Sequence, residues 1–315
     1  MQQFLASLLM YSKEASVYVA DNGSNDDSLV WLKRNYPNVG LIEIGENLGY
    51  ARGYNVALKN IDASLLILLN NDIRVTQNWL TPMIEAFKKQ PDLVAAQPKI
   101  KDLKNLQYFE YAGAAGGYLD SLGYPFCRGR IFNLVERDDN QYDQVTDIFW
   151  ASGACLFLRK KAFDHVGGFD PDLFAHHEEI DLCWRLQTQG GRIQNIPSSS
   201  VYHMGGGTLS NSSAKKTFFN FRNSLLILVK NVSGPKILFI VLTRLILDGL
   251  AGIIFLFQGK PKHTLAIIKA HLSFYRLLPR FFRKRKKWKS KMKYALTLSI
   301  LYARFFRNIR YFNEL

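Results

Sequence analysis

Cysteine is scarce. Cys127, Cys155 and Cys183 are the only three in 315 residues, and none forms a CxxC pair. An odd, scattered set argues against a disulfide framework or a zinc site and fits a reducing compartment better. Low-complexity tracts and internal repeats are missing, which sets aside linker-rich and solenoid architectures. No basic segment leads into an apolar core with a small-residue cleavage site at the N-terminus, so no secretory signal is expected. Acid is also in short supply: 26 Asp/Glu stand against 41 Lys/Arg, a formal charge of +15. The shortage is sharpest between Arg276 and Lys293, where ten Lys/Arg occur without one acid. Such a basic excess points to phosphate-bearing partners: nucleic acid, anionic lipid or nucleotide.

What is present reads as globular. Hydrophobic residues make up 48% and charged residues 21% of the chain, enough for one large domain or two small ones. The organising stretch is Leu65-Leu66-Ile67-Leu68-Leu69-Asn70-Asn71-Asp72. A short apolar run flanked by predicted helices reads as a strand buried on both faces of a parallel sheet. Ligands of open α/β sheets sit outside the carboxyl ends of strands, which puts Asn70, Asn71 and Asp72 at a crevice. There a carboxylate suits a hard divalent cation that also touches a phosphate; the competing reading of Asp72 is a turn or cap residue.

Strands and helices alternate over the first hundred residues, which implies an α/β layer fold. A helix over about 2–12 precedes a strand over 15–20, which ends in Asp21-Asn22-Gly23-Ser24-Asn25-Asp26-Asp27. Asp21 at that tip is placed to accept hydrogen bonds from a base or ribose, or serves turn chemistry alone. After a strand over 39–44, Asn47-Leu48-Gly49-Tyr50-Ala51-Arg52-Gly53-Tyr54-Asn55 opens a helix. Its glycines permit close approach to a phosphate, and Arg52 adds a charge-assisted contact to a diphosphate. It is neither a P-loop nor a GxGxxG fingerprint. A helix over 78–90 and a strand over 93–100 follow. Residues 102–147 read as a long irregular wall of a binding site.

The densest polar cluster is Gly167-Gly168-Phe169-Asp170-Pro171-Asp172-Leu173-Phe174-Ala175-His176-His177-Glu178-Glu179-Ile180-Asp181. In a helix, Glu178 shares a face with Asp181, and Asp181 with Arg185. A cleft carboxylate here is a candidate general base; ordinary helix ion pairs are the alternative. Strands over 193–196 and 200–203 then lead to Tyr202-His203-Met204-Gly205-Gly206-Gly207-Thr208. Glycines beside His203 permit a ligand to approach, so His203 reads as a metal ligand or as a structural histidine.

Taken in order, DNGSND, NLGYARGYN, LLNND, GGFDPDLFAHHEEIDLCWR and VYHMGGGT resemble inverting, family-2-type glycosyltransferases of the GT-A fold, especially bacterial rhamnosyltransferase-like members. The resemblance covers roughly residues 1–225. It implies an α/β, GT-A-like doubly wound mixed sheet and a nucleotide-diphosphate sugar donor, with a glycan or lipid-linked acceptor in cell-envelope polysaccharide synthesis. It implies a divalent cation, Mn2+ or Mg2+, held by Asp72 and His203. Asp21, Asn47, Gly49, Arg52, Asn55 and Asn70 are expected around the donor. In the block Glu178-Glu179-Ile180-Asp181 the usual base position is Glu179, where the family normally has Asp, so Glu179 and Asp181 both stand as catalytic candidates. A non-catalytic sugar-nucleotide or glycan-binding relative is the alternative. The family's first apolar strand is not found ahead of the first helix. The expectation is therefore a shortened version of a longer enzyme, with two sheet edges left unpaired.

Beyond residue 225 the chain changes character. Lys236 to Phe257 is apolar and long enough to span a bilayer, yet Arg244 and Asp248 near its middle make a span expensive. A half-buried or in-plane helix is expected, then a second helix over 265–278. The following run from Pro279 to Lys289 interleaves basic residues with Phe and Trp, which suits an anionic membrane surface. No nucleic-acid-binding motif accompanies the charge, so nucleic acid is not an expected partner. The expected organisation is a glycosyltransferase domain over 1–225 and a membrane-associating region over 226–315, at the cytoplasmic face of a membrane.

Overall fold

The computed structural model describes residues 1–205, 213–285 and 292–315. The first hundred residues run α1 (Leu5–Tyr11), β1 (Tyr18–Asp21), α2 (Ser28–Asn35), β2 (Gly40–Glu43), α3 (Gly49–Ala57), β3 (Leu65–Leu69), β4 (Ile73–Val75), α4 (Thr81–Lys89) and β5 (Leu93–Asp102). The segment read as irregular contains five short strands: β6 (Gly117–Asp120), β7 (Pro125–Cys127), β8 (Arg130–Ile131), β9 (Leu134–Val135) and β10 (Thr146–Asp147). Then come β11 (Cys155–Arg159), α5 (Lys160–His165), α6 (Glu178–Thr188), β12 (Arg192–His203), α7 (Ala214–Asn231), α8 (Lys236–Phe257) and α9 (Pro261–Arg285). A last strand β13 (Ala295–Thr297), α10 (Ile300–Phe305) and a turn at Phe312–Glu314 close the chain.

The central sheet is mixed, in the order β10-β12-β5-β11-β3, with β4 also on β12. β3 differs from the parallel strand its sequence suggests: it pairs antiparallel with β11, Leu69 opposite Cys155 and Leu65 opposite Arg159. The reason lies in what an apolar run reports, namely two covered faces and not direction. Successive strand residues point to opposite faces. Leu66 and Leu68, with Leu156 and Leu158 of β11, join one core beneath α6 and α7. Leu65, Ile67 and Leu69 pack with Cys155 and Phe157 against the other, beside Trp79, Met83 and Phe87.

β1 and β2 form a separate parallel pair, Asp21 opposite Glu43. Among the described residues neither pairs with β3, so β1 and β3 each keep an edge without a ladder partner. β12 is one strand where two were expected. It is interrupted by a register shift between Ile196 and Ser200, where Pro197 has no N–H to give the ladder. β13 joins β6–β9 in a smaller five-stranded sheet.

The C-terminal helices pack on the sheet domain. Leu225 to Val229 of α7 are buried in the same core as Leu66 and Trp184, so α7 runs through the expected boundary at residue 225. In α8 both charged residues turn inward. Arg244 donates to the Leu122 carbonyl (2.9 Å) and the Ser224 hydroxyl (2.8 Å), lies over the Tyr124 ring, and pairs with Asp248 at 3.5 Å. The opposite side of α8 is apolar and exposed. α9 does not stop before Pro279 but continues to Arg285. Tertiary contacts just beyond the proline outweigh its lost hydrogen bond: Phe281 is fully buried, and Arg280 pairs with Asp172 at 2.7 Å.

Candidate active site

Three loops meet where β1 ends and α3 begins. Asp21 closes a tight turn by accepting the backbone N–H groups of Gly23 and Ser24. Asn22 then joins this loop to the next: its amide donates to the Gly49 carbonyl (3.1 Å) and its oxygen accepts from Leu48 N–H (3.0 Å). Asn47 accepts from the N–H of Gly49. Gly49 has φ +73°, and a Cβ there would lie 2.6 Å from Phe174, so only glycine fits. Phe174 belongs to the third loop, the one leading into α6, and its carbonyl accepts from Ala51 N–H. Asp21, Asn47 and Gly49 are thereby brought to one place. Asn55, expected at the cofactor, instead holds the third loop: its amide donates to Phe169 O and its oxygen accepts from Phe169 N–H, both at 2.9 Å. Arg52 is exposed on the flank of α3 and lines a cleft shared with α9.

At the end of β3, Asn70 N–H donates to Ala154 O, and its carbonyl accepts from Ile73 N–H, forming the turn that presents Asp72. The end of β12 delivers His203 to the same point, with Met204 N–H donating to Asp72 O. His203 Nε2 lies 3.0 Å from Asp72 Oδ1. On the other side, Nδ1 is 3.2 Å from Glu110 Oε1, close enough for an ion pair though poorly aligned for a hydrogen bond. Burial pushes the imidazole toward neutrality, but the two carboxylates outweigh it and raise His203 to about 9. Burial likewise works to raise Asp72, and His203 overcomes it, leaving the carboxylate below its ordinary range. Glu110 lies in the stretch read as irregular, with no motif around it to single it out. Among the described residues no group of three His, Cys, Asp or Glu forms a ready metal cage. Asp72 and His203 nevertheless suit a divalent cation completed by phosphate oxygens, one hard oxygen and one imidazole, provided the cation displaces the proton that His203 holds against Asp72. Gly206, Gly207 and Thr208 lie outside the described residues.

The loop before α6 is strained. Phe174, His176 and His177 have φ of 64°, 67° and 68°, left-handed values unusual for residues with a side chain. Each costs roughly 1–3 kcal/mol and persists only where the surroundings impose it. Here α7 does so. Asn223 is fully buried and donates to the carbonyls of Leu173, Ala175 and His176 at 2.8, 2.9 and 2.7 Å. Arg222 donates to the carbonyls of Asp172 and Leu173.

The acids after this loop have different fates. Asp181 is wholly buried. One oxygen accepts from Asn231, and the other from Arg185 and Lys230, each at 2.8–2.9 Å. Against the cost of burial, those cations hold its carboxyl far below the usual range. Glu179 is partly exposed, and its Oε2 has no hydrogen-bond partner among the described residues. Burial raises it to about 7, although two backbone N–H groups pull the other way. Glu178 is pushed well up by burial and by the charge of Glu179. Burial lowers His176 to about 4 and His177 to about 3, so both imidazoles are neutral at physiological pH.

The two clusters have neighbours in common. Tyr50 donates to Gly153 O at 2.7 Å, next to the Ala154 carbonyl that holds Asn70, and its phenol feels the charges of Glu178 and Glu179. The buried Cys127 thiol, raised first by desolvation, is raised further by both Glu110 and Glu179.

The site can be set beside known proteins. The chain is 28% identical over 249 residues to an N-acetylglucosaminyl-diphospho-decaprenol L-rhamnosyltransferase of Mycobacterium tuberculosis, across 74% of this chain and 81% of that protein. It is 26% identical over 208 residues to a poly-beta-1,6-N-acetyl-D-glucosamine synthase of Staphylococcus aureus, across 64% of this chain and 45% of that one. Among solved structures, the fold resembles the mannosyltransferase PcManGT from Pyrobaculum calidifontis, in complex with GDP-Man and Mn2+. There the TM-score is 0.53 at 12% identity, covering 87% of this chain and 82% of the other. It also resembles GalNAc-T7 with UDP, GalNAc and Mn2+, at TM-score 0.55 and 16% identity, covering 73% and 45%. Both likenesses are to GT-A folds, in accord with the mixed sheet described above. The profile described as Glycosyl transferase family 2 matches residues 1–167, more than half of the sequence, and the chain belongs to that family of sugar-transferring enzymes.

Proposed function

We propose that this glycosyltransferase moves a sugar from a nucleotide diphosphate to a hydroxyl of a glycan or lipid-linked acceptor, with inversion, in cell-envelope polysaccharide synthesis. The observation that carries the reading is the division of labour on α6. Glu179 has an unpartnered oxygen and a pKa of about 7, whereas Asp181 is locked between cations. A general base works best poised near the operating pH. Glu179 takes the proton of the acceptor hydroxyl as its oxygen bonds to the anomeric carbon. The bond from that carbon to the diphosphate breaks, and its electron pair leaves with the phosphate. Asp181 keeps α6 in place. Asp21, Asn47 and Gly49 form the donor pocket, and Asn70 shapes the turn beside it. Asp72 and His203 would hold Mn2+ or Mg2+, which as a Lewis acid offsets charge on a leaving diphosphate. The acceptor class is supported by the diphospho-decaprenol in the mycobacterial relative's name.

The same reading places the enzyme on the anionic, cytoplasmic face of a membrane, with residues 226–315 as the docking region. α8 has the length and hydropathy of a membrane span. Arg244 and Asp248 tie its middle to the sheet domain, however, which favours a helix lying in the membrane plane. Leu238, Phe239, Leu242, Ile246, Leu250 and Ile253 are each more than half exposed on its outer side. Part of the basic run is already engaged: Arg280 and Lys284 pair with Asp172, and Arg285 donates to Val229 O. Lys286, Lys287, Trp288 and Lys289 lie outside the described residues.

Transfer assays with dTDP-, UDP- and GDP-sugars and Mn2+ test the proposal. Asp72→Ala and Glu179→Gln are expected to abolish turnover in a folded protein. Retained turnover in either variant removes that residue from the reaction.

A further inference from the structure

We propose that the cleft between α3 and α9 is the subsite for the phosphate or diphosphate group of an isoprenyl-linked acceptor. The cleft holds about 510 Å³, and three arginines from three elements line it: Arg52 of α3, Arg222 of α7 and Arg276 of α9. Guanidinium groups converging from separate elements suit the oxygens of a phosphate better than any neutral ligand. Two acids are also there, Glu46 and Asp172. Asp172 is already neutralised by Arg280 at 2.7 Å and Lys284 at 2.6 Å, so the arginines are left in excess.

Arg222 is set in advance. Its Nε donates to Asn223 Oδ1 and its Nη2 to two loop carbonyls. It is also buried, which lowers its pKa to about 10 despite Asp172 nearby. A desolvated, immobilised cation gains from an incoming anion without further ordering.

Position selects the acceptor over a soluble anion. Arg276 and Ser273 form the α9 wall of the cleft. On the same helix Ile268, Leu272 and Tyr275 are more than half exposed. An isoprenyl tail lying along that apolar surface would bring its phosphate to the arginines. Phe174, which also lines the cleft, belongs to the strained loop that leads to Glu179. The inference rests on the acceptor class proposed above.

Farnesyl diphosphate, titrated into the full chain in detergent micelles, is the test probe, with UDP plus Mn2+ titrated in parallel. Arg276 is exposed, so its variants should fold; unchanged thermal unfolding checks this. Arg276→Glu is expected to weaken farnesyl diphosphate binding about tenfold or more, the loss of one charge-assisted contact. Arg276→Lys should keep most of the affinity, and UDP binding should not change. Inorganic pyrophosphate should compete, and farnesol should not. Unchanged farnesyl diphosphate affinity in Arg276→Glu overturns the proposal, as does an equal loss of UDP binding, which would give the cleft to the donor. Arg276-dependent farnesyl diphosphate binding in a chain that turns over no nucleotide sugar would keep the subsite and refute the transfer reading.

Discussion

Replacing Glu179 by Gln separates two properties that a catalytic base joins, reactivity and instability. Burial raises the carboxyl from an ordinary value of 4.5 to about 7. The folded state therefore prefers the protonated form, and stability is highest below about pH 4.5. As pH rises toward 7 the unfolded chain releases its proton first, and stability falls until the folded carboxyl also ionises. Above that point the accumulated loss is about 3 kcal/mol. Gln has the shape of the neutral acid and never ionises. In urea unfolding, Glu179→Gln should match the parent protein at pH 4 and exceed it by about 3 kcal/mol at pH 8. Transfer should be lost at both values, while the parent rate should climb through pH 7 as the base deprotonates. A variant no more stable than the parent at pH 8 would mean that the carboxyl is well solvated, and the argument for a tuned base would fail.

Asp181→Asn should behave in the opposite way. It removes the anion that Arg185 and Lys230 share, so unfolding free energy should drop by about 3–5 kcal/mol at pH 7. A loss of activity with no loss of stability would return Asp181 to the list of candidate bases. Asn223→Ala removes the donor that ties the carbonyls of Leu173, Ala175 and His176 together, leaving among the described residues only Leu173 with a second one, from Arg222. It should cost about 2–4 kcal/mol and lower kcat as the loop before α6 relaxes; calorimetry and steady-state kinetics check both. Ile246→Glu puts a charge on the exposed side of α8 and should release the protein from anionic liposomes in a flotation assay while leaving its melting temperature within a few degrees.

How far the site could be read beforehand depended on where each residue's partners lie. Asp72 and His203 stand out because apolar strands end in polar tips, and a strand tip is a place before it is a contact. Glu110 did not stand out: its meaning comes only from His203, ninety-three positions away. Asn55 sits in a motif that suggests ligand binding, yet its amide is matched to the backbone of Phe169, 114 residues on. Three acids on one helix look alike in a string of letters. Lys230 and Asn231, from α7, set Asp181 apart from Glu179.

Local pattern alone was enough for the α/β layering, the order of polar strand tips, the dense polar cluster leading into α6 and the apolar, basic C-terminus. These follow from periodicity, turn chemistry and composition, which act over a few residues. Long-range contacts set β3 antiparallel to β11, keep β1 and β2 apart from it, carry α9 through Pro279 and turn Arg244 and Asp248 inward. Strand direction, burial of a charge and the pKa of an acid all depend on groups brought from distant parts of the chain. Local pattern states what a segment prefers; desolvation and long-range pairing decide which preference survives.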